Sequence, residues 1–239
     1  MSRLIRGELI KLRTTRTALG FAAGVAILTL AIVLITTLAG DPKTVADKRG
    51  ALAVGSGVSA LLLLFGVVGA GAEYRHRTLA PALLVAPGRG RLLVARVVAY
   101  GLAGLAIGVV MTAVAFAVGL PLLAGQPGPD LGTSDYLRAG GGGLLAVTVS
   151  TMLGVGVGTL VGKQVPAVIG TMVWIFVLEP LSGLIDDISK YTIGQAETSI
   201  GGDTGGDLLP WGGAFLALFA WTAAFLIAAA VVDSRRDIV

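Results

Sequence analysis

The sequence contains no cysteine and a single histidine, His76. It therefore cannot have a disulfide framework, thiol chemistry, a cysteine-ligated metal or a histidine cluster for a metal. Charged residues are only 13% of its 239 residues, against roughly 25% in globular domains. So few charges cannot cover the surface of a soluble protein of this length. The sequence therefore predicts an integral membrane protein.

Apolar residues make up 55% of the chain, and glycine contributes another 36 residues. A bilayer core about 30 Å thick is crossed by a helix of about 20 mostly apolar residues. Six segments meet this requirement, each with at most one ionisable residue. The sequence thus predicts an all-α protein whose residues 1–239 form one transmembrane domain. The predicted spans are about 18–40, 51–72, 97–120, 139–161, 165–184 and 209–232.

The basic residues predict the orientation of these spans, because cytoplasmic loops are enriched in lysine and arginine. Thirteen of the 18 basic residues lie in alternate segments of the chain, starting with the N-terminus. We therefore expect both termini in the cytoplasm and the protein in the cytoplasmic (inner) cell membrane. A net charge of +4 placed in this way indicates membrane topology, and we expect no nucleic-acid partner. The thirteen are Arg3, Arg6, Lys11, Arg13, Arg16, Arg75, Arg77, Arg89, Arg91, Arg96, Lys163, Arg235 and Arg236.

Residues 1–16 are predicted to form a helix that lies on the membrane surface before the first span. Ile5, Leu9 and Leu12 would share one face of this helix, although Glu8 interrupts that face. One interpretation is a basic tail adsorbed to anionic lipid. The other is a helix that docks beside a cytosolic partner.

The cytoplasmic loop between spans two and three is long for a simple connection. Helices in bundles are joined by about 2–8 residues, whereas residues 73–96 number about three times as many. A short helix is predicted over residues 78–85, with Leu79 and Leu83 on one face and Pro87 beyond its end. Such an element either inserts into a groove on another protein or rests on lipid headgroups.

Two motifs are similar to those of ABC transporter permeases of the type-2 exporter class. The opening of the chain, with Glu8, Leu9 and residues 11–13, resembles the connecting helix of that family. The loop resembles the family's coupling loop, although Arg77 stands where the family commonly has a small residue and Pro81 shortens or bends the helix. The loop residues that carry the resemblance are Glu73, Tyr74, Arg75, Thr78, Leu79, Leu83, Leu84, Pro87 and Arg91.

The resemblance implies a membrane subunit of an ATP-driven exporter. In that family two identical or similar permeases pair in the membrane and sit on two ATP-binding subunits, which bind ATP and Mg. The loop between spans two and three enters the ATPase as a coupling helix, and Glu8 and Arg13 belong to the connecting helix. Short outer helices lie between spans five and six. The implied coupling residues are Glu73, Tyr74, Arg75, Thr78, Leu79, Leu83 and Pro87.

This chain carries no ATPase motif of its own, so we expect it not to be an enzyme. Residues 162–164 resemble the end of a P-loop, but Gln164 occupies the position that requires Ser or Thr. The family exports drugs, antibiotics, peptides and lipids, and a hydrophobic or amphipathic substrate is expected from the apolar spans. The alternative is a membrane protein that works by binding alone, such as an immunity or assembly factor, which would purify without an ATPase.

Glu179 is the one carboxylate within a predicted span, and Pro180 follows it. A residue before proline is biased away from helical geometry. Span five therefore either breaks here, with Glu179 lining an exit vestibule, or ends here, with the carboxylate at the interface. Trp174 and Phe176 in the same span could contact a hydrophobic substrate, or could pack against lipid.

Overall fold

A computed structural model describes residues 1–53, 55–75, 88–202 and 208–236 of the chain. Throughout these residues the regular structure is helical, with no β-strand. The predicted coupling helix at residues 78–85 lies outside the described residues.

Twelve α-helices follow one another in the described chain. Two short π-helical segments continue the helical path, one between α6 and α7 (Arg138–Gly142) and one between α8 and α9 (Trp174–Leu178). The α-helices are α1 (Ser2–Thr14), α2 (Arg16–Leu38), α3 (Val45–Leu52), α4 (Gly55–Arg75), α5 (Arg89–Leu123), α6 (Thr133–Leu137), α7 (Gly143–Val161), α8 (Gln164–Val173), α9 (Glu179–Ser182), α10 (Asp186–Ser189), α11 (Ile193–Ile200) and α12 (Trp211–Arg235).

Six of the helical stretches are long and apolar enough to cross a membrane, which confirms the predicted number of spans. Three of the stretches begin and end within about three residues of the predicted bounds, whereas the other three begin about six to eight residues earlier than predicted. The stretches are Arg16–Leu38, Val45–Arg75, Arg89–Leu123, Thr133–Val161, Gln164–Ser182 and Trp211–Arg235.

The third span shows why helix ends differ from hydropathy bounds. Hydropathy predicts its start near residue 97, yet α5 begins at Arg89 and therefore includes Arg91 and Arg96. Hydropathy reports where the chain becomes apolar, whereas a helix continues until the backbone stops it. Here the backbone changes at Gly88, whose φ of 139° is a conformation that favours glycine.

Helices α4 and α7 form the centre of the bundle. In the most apolar part of their spans more than half of the residues are buried, whereas the same part of the spans formed by α2, α8–α9 and α12 has fewer than a fifth buried. Gly154 and Gly158 of α7 face α4, and an added Cβ at Gly154 would lie 2.0 Å from the carbonyl oxygen of Leu63. Small residues spaced four apart thus allow close backbone approach.

The outer helices present large apolar side chains on their exposed faces. Ile27 and Ile35 on α2 are 70% and 64% exposed, and Phe219 and Ile227 on α12 are 57% and 64% exposed. Contiguous apolar surface of this kind is unfavourable in water but favourable in lipid. Together with the six spans, it makes this a multi-pass membrane protein.

Contacts bring α1 and the C-terminal end of α12 to one end of the bundle. Lys11 of α1 contacts Glu73 at the end of α4, and the neighbouring Tyr74 contacts Asp233 near the end of α12. We call this the basic end; it comprises α1, the facing ends of α4 and α5, the junction of α7 with α8, and the C-terminal end of α12. The other end is called the opposite end. The distribution of basic residues predicts that the basic end faces the cytoplasm.

Candidate functional site

The N-terminal helix α1 packs against the bundle through a face that includes a carboxylate. Glu8 and Leu12, four residues apart, are its buried residues, and Leu9 packs beside them against the core. The sequence indicated that Glu8 interrupts an apolar face. In the structure this residue lies on the buried face itself, which requires a partner for its charge.

Lys11 and Arg96 supply the opposite charges. Lys11 Nζ lies 2.7 Å from Glu8 Oε1 and 3.1 Å from Glu73 Oε1, so that it bridges α1 and α4. The guanidinium of Arg96 on α5 donates to the other oxygen of Glu73. The four side chains form one chain of ion pairs that joins three helices, and we call it the charged chain. Glu8, Glu73 and Arg96 are buried, whereas Lys11 is about half exposed.

The protonation of Lys11 follows from its two neighbours. Partial burial lowers the pKa of Lys11, but hydrogen bonds and charge interactions with Glu8 and Glu73 outweigh burial, and the pKa is raised. Lys11 is therefore positively charged throughout the neutral range. Since Glu73 has a second cation in Arg96, its charge is compensated from two helices.

A cavity of about 530 Å³ lies beside the charged chain, between α1, the first turn of α2, the second half of α4, α5 and the start of α8. Polar groups from Glu8, Lys11 and Glu73 line one part of it, and the rings of Phe65 and Tyr100 line another. An amphipathic lining of this kind suits a molecule with both polar and apolar parts.

The aromatic part of the lining depends on one glycine. The ring centroids of Phe65 and Tyr100 are 5.2 Å apart, and Phe21 adds a third ring 5.3 Å from Phe65. The hydroxyl of Tyr100 lies against Gly69, where an added Cβ would be 1.8 Å away. Because any larger residue would overlap the hydroxyl, Gly69 sets the position of the Tyr100 ring.

The C-terminal end of α12 contacts both helices that flank residues 76–87. The Tyr74 hydroxyl donates to Asp233 Oδ1 at 2.6 Å, and Arg89 Nη1 donates to the carbonyl oxygen of Arg236 at 2.6 Å. Arg236 in turn donates to the carbonyl oxygen of Thr159 at 2.8 Å. The two helix ends that flank residues 76–87 are therefore each fixed to the end of α12.

The predicted coupling residues divide into two groups. Glu73, Tyr74 and Arg75 lie together in the last turn of α4, and Arg75 Nη1 donates to Gln164 Oε1 at 3.3 Å. The remaining predicted residues lie outside the described residues. These are Thr78, Leu79, Leu83 and Pro87.

The two predicted connecting-helix residues have different environments. Glu8 is buried and paired with Lys11. Arg13 is exposed, and within the described part of the chain it makes no hydrogen bond or ion pair. Arg13 is therefore free to contact lipid or another protein.

The predicted vestibule residues lie near the opposite end, and the structure does not bring them together. The carboxylate of Glu179 accepts a hydrogen bond from the backbone N–H of Gly194, in the first turn of α11. Trp174 packs edge to face on Trp221 with ring centroids 5.6 Å apart, whereas Phe176 is 67% exposed.

The local backbone favours a structural role for Glu179. Helical structure continues through Glu179 and Pro180 to Ser182, and the short helices α10 and α11 follow. The span therefore does not end at Glu179, and its carboxylate joins the last turn of span five to the start of α11.

Sequence reasoning missed the partners of three residues. Arg96 was counted only as a basic residue on the predicted cytoplasmic side, Lys11 was placed in the motif that resembles the connecting helix, and Glu197 was not singled out. The spacing of Glu8 and Lys11, three residues apart on a helix, was the one local signal available. The partners of Arg96 and Glu197 are 23 or more residues away in the sequence.

The comparisons with known proteins assign no family. No protein-family model matches the sequence, and no curated protein matches it significantly. Among the described residues, no group of three or more histidine, aspartate or glutamate side chains is arranged to hold a metal ion. A function must therefore be argued from the charged chain and its surroundings.

Proposed function

We propose that this protein is the membrane subunit of an ATP-driven exporter and couples to a separate ATP-binding subunit at its basic end. The observation that carries the proposal is the contact between Lys11 and Glu73, which ties α1 to the last turn of α4 at 3.1 Å. These are the two elements that the sequence relates to the connecting helix and the coupling loop of ABC permeases.

The charged chain supports this role because it extends beyond one contact. A displacement of the last turn of α4 moves Glu73, and Glu73 is bound to α5 through Arg96 and to α1 through Lys11. Buried ion pairs are costly to separate, so the three helix ends move together rather than singly. Rigid-body movement of packed helices is the form of motion that an exporter needs.

The further parts of the proposal follow from the family resemblance. Two copies of this chain, or this chain and a similar one, pair in the cytoplasmic membrane and bind two ATP-binding subunits. ATP and Mg bind to those subunits. The substrate is a hydrophobic or amphipathic compound such as a drug, an antibiotic, a peptide or a lipid, in keeping with the mixed lining of the cavity beside the charged chain.

The test uses the absence of cysteine in the native sequence. Gln195, an exposed residue of α11, is replaced by cysteine and labelled with a fluorophore, and the complex is purified from native cells and placed in nanodiscs. We expect an ATPase to co-purify and ATP to change the fluorescence. The double variant Glu73→Ala/Leu83→Asp should retain membrane insertion but lose the ATP-dependent change, since both the charged chain and the predicted loop contact are damaged.

A matched control is Asp41→Ala/Leu38→Asp at the opposite end. Among the described residues Asp41 forms an ion pair with Lys43 alone, and Asp41 and Leu38 are both exposed. This control should keep the response to ATP. The proposal is wrong if the chain purifies without any ATP-binding protein, which would favour a membrane protein that works by binding alone. It is also wrong if the Glu73→Ala/Leu83→Asp variant responds normally.

A further inference from the structure

Helix α11, between spans five and six, buries a carboxylate inside the bundle. Glu197 is 4% exposed and lies on the same side of α11 as the buried Ala196 and Ile200. Two hydroxyls from different spans meet its carboxyl group. Ser59 of α4 donates to Oε2, and Ser150 of α7 donates to Oε1. The side chain of Glu197 therefore joins α11 to both central helices.

The helices packed against α11 place no charge near this carboxyl group. These helices are α4, α7 and α12. Helix α7 has no ionisable residue, and the ionisable residues of α4 and α12 lie in their last turns at the basic end. Ser59 precedes Glu73 by 14 residues, which corresponds to about 21 Å along α4.

Three other charged groups lie on neighbouring segments. Arg49 of α3 donates to the carbonyl oxygen of Gly202 at 2.5 Å and pairs with Asp135 at 3.2 Å. Arg138 lines a cavity with Gly202, and Glu179 contributes a like charge. In the described part of the chain, none of the basic groups is within ion-pair distance of Glu197.

This environment favours the neutral carboxyl group. An ionised carboxylate buried without a cation costs several kcal/mol, and hydroxyl donors compensate only part of that cost. Burial accordingly raises the pKa of Glu197 to about 8; the hydroxyls of Ser150 and Ser59 oppose this increase and the charge of Glu179 adds to it.

The hydrogen bonds are complete when the carboxyl group carries a proton. Ser150 Oγ lies 2.7 Å from the carbonyl oxygen of Ala146 on its own helix. A protonated Glu197 can donate to Ser150 Oγ, while Ser150 donates to Ala146 and Ser59 donates to the other carboxyl oxygen. Every polar hydrogen of the buried group then has an acceptor, as buried polar groups require.

We propose that Glu197, Ser59 and Ser150 form a proton-binding site that holds α11 against α4 and α7, so that loss of the proton releases α11. The ligand of this site is a proton exchanged with the solution on the predicted outer side. Because α11 follows the last turn of span five, its release also removes the contact between Gly194 and Glu179. The proposal does not depend on the exporter function.

The sign of the pH dependence follows from proton linkage. The held form of α11 binds the proton more tightly than the released form, in which Glu197 is solvated and titrates near its usual value of 4.5. Release therefore becomes more favourable as the pH rises from about 4.5 to about 8. The equilibrium for release changes by at most about tenfold per pH unit in this interval.

The experiment measures the accessibility of a buried position on α11. Ala196, which is fully buried, is replaced by cysteine in the full chain, and the protein is placed in nanodiscs so that both faces are accessible. The rate of modification by a maleimide is measured from pH 5 to pH 9. The matched control is Gln195→Cys on the exposed side of the same helix, because the ratio of the two rates removes the pH dependence of the thiol reaction.

We expect the ratio of Ala196→Cys to Gln195→Cys modification to rise with pH by up to about tenfold per unit. Adding Glu197→Gln should give a low ratio that does not vary with pH, since the amide resembles the protonated carboxyl group. A ratio independent of pH in the parent, or a pH dependence that survives Glu197→Gln, would overturn the proposal.

A second variant keeps the test decisive if Glu197→Gln fails to fold, which circular dichroism detects. Ser150→Ala removes a hydrogen-bond partner that the carboxyl group has in both of its protonation states. It should therefore displace the pH-dependent rise in the modification ratio along the pH axis while leaving its direction unchanged. An unchanged pH profile in Ser150→Ala contradicts the site as described.

Discussion

A buried carboxyl group lies at each end of α4, and the two groups differ in their partners. One belongs to Glu73 of α4 itself, and the other belongs to Glu197 of α11, which contacts α4. Glu73 at the basic end lies between Lys11 and Arg96, whereas Glu197 near the opposite end contacts the hydroxyls of Ser59 and Ser150. Both are less than a tenth exposed. The comparison shows that burial alone does not determine the environment of a carboxyl group: two cations compensate the charge of Glu73, while two hydroxyls leave Glu197 able to take up a proton.

The two kinds of partner, cations and hydroxyls, suit the two ends of the bundle to different roles. A network of ion pairs ties its helices together by charge, so it can transmit displacement from one helix to the others. A carboxyl group held by hydroxyls changes its charge with pH, so it can respond to the solution. The basic end therefore suits coupling to a partner, and the opposite end suits a reversible contact.

The largest effect is expected from Arg96→Met. It leaves the buried carboxylate of Glu73 with only the half-exposed Lys11, and breaking a buried pair costs about 3–5 kcal/mol. The loss in the free energy of unfolding is measured by denaturing the purified protein in mixed micelles while monitoring its helical content by circular dichroism. The double variant Arg96→Met/Glu73→Gln should recover most of it, and equal loss in both variants would show that the guanidinium matters for packing rather than charge.

A smaller effect on the free energy of unfolding is expected when each carboxyl group is replaced by an amide, and its dependence on pH should differ between the two. Glu73→Gln should lower the free energy of unfolding by about 2 kcal/mol at every pH from 5 to 9, because buried Arg96 loses its partner. Glu197→Gln should have little effect near pH 5 and should stabilise the protein above pH 8, by up to a few kcal/mol. The reason is that native Glu197 binds its proton more tightly than the unfolded chain does, and this stability is lost as pH rises.

The difference in unfolding free energy between each variant and the parent, measured across that range, checks both statements. If the difference in unfolding free energy between Glu197→Gln and the parent does not vary with pH, Glu197 does not take up a proton in this range and the two carboxyl groups do not differ in that respect.

The smallest effect is expected from Lys11→Met. Because Lys11 is about half exposed, its two ion pairs contribute only about 0.5–1 kcal/mol. The matched substitution Lys43→Met, whose exposed pair with Asp41 is at the opposite end, should change stability by less than that. Denaturation at low and high salt distinguishes them, since only the partly buried pairs of Lys11 should resist screening. Equal losses of stability in Lys11→Met and Lys43→Met would show that the ion pairs of Lys11 contribute no more than an exposed surface pair.

Much of the fold could be predicted because transmembrane spans depend on local composition. The number of spans was correct, and so was the presence of an N-terminal helix, now Ser2–Thr14. The bounds were less accurate at α5, which begins eight residues before residue 97 because helix ends depend on backbone geometry at Gly88. That the basic end faces the cytoplasm stays a prediction.

The candidate site was predicted only in part. Glu8, Glu73 and Tyr74 were named from motifs, and the structure brings Glu8 and Glu73 to the same lysine. Thr78, Leu79, Leu83 and Pro87 stay predictions, as does the part of Glu179, Trp174 and Phe176 in a translocation path. Glu197 was not singled out, because an acidic residue in a polar loop has no local feature that indicates burial.

The sequence by itself determined that this protein crosses a membrane and how many times, since about 20 neighbouring residues suffice to set the free energy of insertion of each span. Only the tertiary structure decided which charges are buried and what compensates them. Lys11 and Glu73 are 62 residues apart, and Ser59 and Glu197 are 138 apart. Charge compensation depends on distances of a few ångströms between such residues, and those distances exist only after the helices have packed.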